Sequence, residues 1–88
     1  MTDYDLRAVH KTSRNNKELV GKSKFVGCFY CLAVSKATDV VKYRTYRKKG
    51  EFDAQCPVCT IDSLIPDASG YPIDEAFLIK MRLSWFNK

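Results

Sequence analysis

Hydrophobic side chains recur along this chain with different periods, and the last block is the clearest. Phe77, Leu78, Met81 and Trp85 fall at helical spacing and share one face. Ile79, Leu83 and Phe86 form a second apolar stripe, and Lys80, Ser84 and Asn87 are the polar remainder. Asp74 or Glu75 opens the segment, where a carboxylate meets the positive end of the helix dipole. The pattern predicts a C-terminal amphipathic helix whose first stripe packs in the core. The second stripe is hard to bury in so small a domain, and Ile79, Leu83 and Phe86 are expected to mark a partner or dimer surface.

Upstream the pattern is weaker. Leu6, Val9, Leu19 and Val20 give residues 4–20 a sparse helical stripe, and Ser13-Arg14-Asn15-Asn16 is a stretch able to break it before Gly21 ends it. Residues 24–34 are aromatic and β-prone around a tight turn. Ser35 to Lys49 reads as a second helix, with Ser35, Thr38 and Asp39 as N-cap residue types, Val40, Val41, Tyr43 and Tyr46 as its apolar contacts, and Gly50 as its stop. Phe52 to Ile65 reads as a strand, a turn and another short strand, and Pro66 to Gly70 as a loop.

With 88 residues the chain makes one domain, over 1–88, with a marginal core that gains from a staple. Its 45% apolar content is that of a globular protein, and no apolar run approaches the roughly 18 residues a membrane span requires. The N-terminus is charged and carries no apolar signal segment, which predicts a cytoplasmic location and no membrane partner. Residues 1–50 hold 12 Lys/Arg against four acids, and residues 51–88 hold three against six. A basic half of this kind raises encounter rates with anionic partners.

The cysteines carry the strongest chemistry. Cys28/Cys31 and Cys56/Cys59 are two Cys-x-x-Cys pairs separated by 24 residues. In a reducing compartment such pairs point to metal rather than to disulfides. Each pair bends its chain into a knuckle that presents two thiolates, and zinc takes four sulfurs tetrahedrally. Gly27 and Pro57 suit tight turns at the two pairs. A redox dithiol needs only one pair, on a helix start that is not evident here. Iron–sulfur clusters use other ligand spacings. Four sulfur ligands leave no open position, so the expected site is structural and the chain non-enzymatic.

These residues resemble a known family. Gly27-Cys28-Phe29-Tyr30-Cys31-Leu32, then Cys56 to Ser63, then Ser69-Gly70-Tyr71-Pro72-Ile73, then Phe77-Leu78, Met81 and Trp85-Phe86 are similar to a group of small bacterial and phage proteins usually called only "cytoplasmic protein". Their pattern is CGCFYCL, CPxCGIDS, SGxPI, FLxxM and WF. The resemblance covers residues 10–86 and implies a cytosolic zinc-binding domain with no known reaction. Val26 stands where the family often has a cysteine, Thr60 replaces a glycine, and Asn15 stands where a histidine is expected. The first and last departures weaken a second metal or a catalytic histidine.

Three further candidates remain. The run from Lys42 to Lys49 holds five cations and no acid. On a helix its Lys42, Arg44, Arg47, Lys48 and Lys49 would contact phosphates, with Tyr43 and Tyr46 stacking on bases; otherwise it is a solvated face. His10, the single histidine, is a general-base candidate only if a metal position lies open beside it. Asp62 and Ser63 are placed to cap the second turn. The reading as a whole is an α+β, zinc-stabilised domain, treble-clef or zinc-ribbon-like, with a helix between two knuckles. Its expected work is adaptor binding to a protein, and to a host factor if its source is a phage; nucleic-acid binding through residues 1–50 is the alternative.

Overall fold

The computed structural model describes residues 5–45 and 49–86. They form three helices, α1 (Leu6–Lys11), α2 (Lys17–Gly21) and α3 (Glu75–Trp85), with strands β1 (Phe25–Cys28), β2 (Val34–Lys36), β3 (Tyr43–Arg44), β4 (Asp53–Ala54) and β5 (Leu64–Pro66). The class is α+β. One sheet has the order β2-β1-β5 and the other pairs β3 with β4, all antiparallel.

The three-stranded sheet separates two apolar clusters, and strand alternation decides which residue serves which. Successive side chains of a strand point to opposite faces. Val26 and Cys28 of β1 and Leu64 of β5 join Val20, Ala37, Val40, Ala54 and Cys56 in one cluster. Ile65 joins Val9, Phe29, Phe77, Leu78 and Met81 in the other. Gly27, opposite Ile65 in register, belongs to that second face. A Cβ there would sit 3.0 Å from Cβ of Ile73 and 3.2 Å from both methyls of Leu78. Gly27 therefore lets α3 approach the sheet closely; it is a strand residue, where the sequence suggested a turn.

The chain crosses from one cluster to the other at the break between α1 and α2. Asp5 caps α1, its Oδ1 accepting from the Arg7 amide at 3.0 Å. The helix ends where Thr12 Oγ1 and Ser13 Oγ donate to the carbonyls of Val9 and His10, each at 2.6 Å. Such side chains compete with the helical ladder, so the polar stretch stops the helix as its composition implied. Asn15 then turns with φ of 44°. Asn16 is fully buried and fully used. Its Nδ2 donates to Thr12 O (2.9 Å) and Leu64 O (3.2 Å), and its Oδ1 accepts from the Ala54 amide (2.9 Å).

Among the described residues of Ser35 to Lys49 the expected helix is not formed. Ser35 and Lys36 pair with Val26 and Phe25, only Ala37–Asp39 turns, as a 3-10 helix, and Tyr43 and Arg44 pair with Ala54 and Asp53. Val40 and Val41 favour extended backbone, and sheet pairing to distant strands overrides the local cap signals. Tyr46, Arg47 and Lys48 lie outside the described residues. The expected loop after Ile65 starts one residue later than read, since Pro66 closes β5; Asp67–Ser69 is a 3-10 turn ended by Gly70 at φ of 87°.

The last helix matches its pattern. Asp74 caps α3 through Phe77 N at 2.9 Å, and Phe77, Leu78 and Met81 are buried. Trp85 is half-buried. Ile79, Leu83 and Phe86 remain 39%, 55% and 42% exposed, so the second stripe faces out. Among the described residues no helix is long and apolar enough to cross a membrane.

Candidate metal centre

Cys28 ends β1, and Cys31 follows in the turn that leads to β2. Cys56 lies two residues past β4, and Cys59 follows in its own turn. The two turns match bond for bond. In the first, Leu32 N donates to Cys28 O and Cys28 N to Ala33 O, both at 2.9 Å. In the second, Thr60 N donates to Cys56 O and Cys56 N to Ile61 O, again at 2.9 Å. Leu32 and Thr60, the residues after each pair, both take the left-handed conformation with φ of 68°. The same Cys-x-x-Cys spacing has folded twice into the same loop.

Each loop aims two amides at its first sulfur. Tyr30 N and Cys31 N lie 3.3 and 3.4 Å from Cys28 Sγ, and Val58 N and Cys59 N lie 3.3 and 3.5 Å from Cys56 Sγ. These N–H donors favour the anionic form of the sulfur they point at.

The loops then meet. All four Sγ atoms lie within 4.8 Å of one another, with Cys28 to Cys59 at 3.6 Å and Cys31 to Cys56 at 3.7 Å. No disulfide joins them. Four sulfurs placed about 2.3 Å from a central ion at the corners of a tetrahedron would stand about 3.8 Å apart. The cross-loop distances are close to that edge, so the donor type, number and spacing fit a four-sulfur metal site. Cys28 and Cys56 are buried, and Cys31 and Cys59 are half-buried.

The thiols differ electrostatically. Burial works against the Cys28 anion, but the hydrogen bonds from Ser63 and from the Cys31 and Tyr30 amides outweigh it and lower its pKa. Burial raises the pKa of Cys31 and Cys59, and the nearby Cys28 sulfur adds to the rise in both. Cys28 is thus easier to ionise than an ordinary thiol, and Cys31 and Cys59 are harder. Metal binding to such a cluster releases protons, so affinity falls as pH falls.

Ser63 reaches the site from a distance in sequence. Its hydroxyl lies 3.1 Å from Cys28 Sγ and is buried. Antiparallel pairing of β1 with β5 sets Cys28 opposite Leu64, and Phe29 N donates to Ser63 O at 3.1 Å, which fixes the contact. The sequence placed Ser63 as a turn cap; its sulfur partner, 35 residues away, left no local signal.

The other candidates are dispersed. Lys42 is exposed and borders a cleft of about 140 Å³ with Asp39, Gln55 and Thr60. Arg44 is half-buried opposite Asp53 in the β3–β4 ladder, Lys49 is exposed, and Arg47 and Lys48 lie outside the described residues. Among the described residues of the run no helix carries Lys42, Arg44 and Lys49 on one face, and the Tyr43 ring carries the Lys17 ammonium 5.4 Å from its centre. His10 is a packing residue. Its ring stacks on Trp85 at 4.0 Å and tilts against Phe29 at 5.9 Å, joining α1 to α3. Burial and then Arg14 lower its pKa, against an opposing pull from Asp62.

Ser63→Ala is expected to lower metal affinity about 10- to 100-fold by removing an outer hydrogen bond to a ligand, measured by competition with a colorimetric chelator. Thr60→Gly relieves a β-branched residue of the left-handed conformation and is expected to raise unfolding stability by about 1 kcal/mol, measured by urea denaturation of the metal-loaded protein. Comparison with protein-family models, curated proteins and solved structures finds no match to this chain.

Proposed function

We propose that this chain is a small zinc-held binding module without catalytic work of its own, acting in the cytoplasm by engaging another protein. The observation that supports the metal is the four-sulfur cluster, whose spacing suits zinc. Zinc would be held by Cys28, Cys31, Cys56 and Cys59, each turn serving as a knuckle in a treble-clef or zinc-ribbon-like arrangement. When bound, it supplies structural cross-linking, and four sulfur ligands leave no position for water or substrate. Structural zinc sites contribute about 10–16 kcal/mol of folding-linked binding, which exceeds the net stability a core this size provides.

The face that supports protein binding is the outer side of α3. Ile79, Leu83 and Phe86 are apolar, adjacent at helical spacing and exposed. A domain that holds itself together with a metal retains few reasons to leave such a stripe uncovered. His10, committed to its stack on Trp85, gives no support to acid–base chemistry at the sulfurs.

The test is capture from host lysate with zinc-loaded protein, comparing wild type with Ile79→Ser and Leu83→Ser. These two positions are chosen because Phe86 also packs on Phe29 and Tyr30. The wild type is expected to retain a specific protein that both variants lose, while zinc content and unfolding midpoint stay the same. Identical capture by all three contradicts an interface on α3.

A further inference from the structure

The acids of α3 are confined to its start, with Asp74 as the cap and Glu75 in the first turn. From Ala76 to Phe86 the ionisable side chains are Lys80 and Arg82, both cationic and both exposed. Arg82 lies between Ile79 and Phe86 on the helix surface, three residues after one and four before the other. It is also held in place. Its Nη1 donates to the Tyr30 carbonyl at 3.0 Å, and its guanidinium carbon lies 5.6 Å from the centre of the Tyr30 ring. Tyr30 meets Phe86 edge-on at 5.0 Å. A guanidinium is therefore held against Tyr30 at the edge of an exposed apolar surface that Tyr30, Ile79, Leu83 and Phe86 contribute to. It has five N–H donors, and among the described residues no carboxylate pairs with it.

We propose that this surface receives an amphipathic helix of another protein whose apolar stripe is bordered by Asp or Glu. The inference rests on the reading of the chain as a protein-binding module and adds the chemistry of the partner. Apolar side chains of that helix would cover Ile79, Leu83 and Phe86 in the manner of helix-in-groove recognition. A carboxylate on its border would take the fork of Arg82, which pairs with carboxylates bidentately and is already oriented by Tyr30. Lys80, three residues before Leu83, adds a second positive charge on the other border of the stripe.

A second copy of this chain fits less well. In a two-fold interface the same patch faces itself. Lys80 and Arg82 of each copy would then meet the other copy's patch, where Glu75, one turn before Ile79, is the single acid of the stripe against two cations. Nucleic acid would satisfy the cations and leave the apolar stripe uncovered.

The experiment uses zinc-loaded full-length protein and two fluorescein-labelled synthetic helical peptides with one Leu/Phe stripe, bordered by Glu in one and by Lys in the other. Anisotropy should show the Glu-bordered peptide binding about ten-fold or more tightly than the Lys-bordered one, since like charges at an interface are strongly disfavoured. Arg82→Gln should remove most of that preference and Arg82→Glu should reverse it, both variants keeping full zinc content. Equal binding of the two peptides, lost in Ile79→Ser and Leu83→Ser but unmoved by the Arg82 variants, overturns the acidic partner and leaves the module reading standing. Binding of neither peptide overturns the proposal, whether the chain instead self-associates in sedimentation or retains a single-stranded oligonucleotide.

Discussion

Two unit charges about 4 Å apart interact by about 4 kcal/mol at an effective dielectric of about 20. The sulfurs of Cys28 and Cys59 stand 3.6 Å apart, and those of Cys31 and Cys56 stand 3.7 Å apart. Four thiolates that close repel one another too strongly to coexist unaided. The chain's own response is to keep protons: Cys31 and Cys59 are harder to ionise than ordinary thiols, through burial first and the neighbouring Cys28 sulfur as well. Cys28, Cys31, Cys56 and Cys59 would hold a divalent cation at the centre, whose charge would offset that repulsion. The backbone is already arranged for that outcome, with two amides in each turn directed at the first sulfur of its pair.

The remaining architecture serves to bring the two turns together and to cover their far side. β1 carries Cys28 toward the sulfur cluster and Gly27 toward α3, because neighbouring residues of a strand face opposite ways. The break at Thr12 to Asn16 lets α1 pack on the α3 side while α2 packs on the sulfur side. Asn16 secures that crossing with bonds to Leu64 and Ala54, from the strands on either side of the second cysteine turn. The sulfur side and the α3 side are thus two faces of one sheet. Apolar cover at α3 and sulfur geometry at the turns depend on the same strands.

What could be read from the sequence was what depends on neighbours in the chain. The cysteine spacing fixed which sulfurs meet, the Asp74 start and the Phe77/Leu78/Met81 face marked α3, and the polar stretch at Ser13 to Asn16 marked the helix break. The failures share one cause. The cap-like residues Ser35, Thr38 and Asp39 favoured a helix, yet Ser35 and Lys36 are claimed by β1 and Tyr43 by β4. Such pairing between separate segments is invisible to local propensity. Gly27 reads locally as a turn residue because nothing nearby announces Ile73 and Leu78, which lie about fifty residues on. The contacts of Ser63 with Cys28, of His10 with Trp85 and of Arg82 with Tyr30 are equally remote.

The most direct measurement is the far-UV circular dichroism of the reduced protein during titration with a strong zinc chelator, with released metal counted in parallel. If the sulfur cluster holds the two halves together, helix and strand signal will collapse as one zinc per chain is removed. A spectrum and a cooperative thermal transition that survive complete chelation would contradict it.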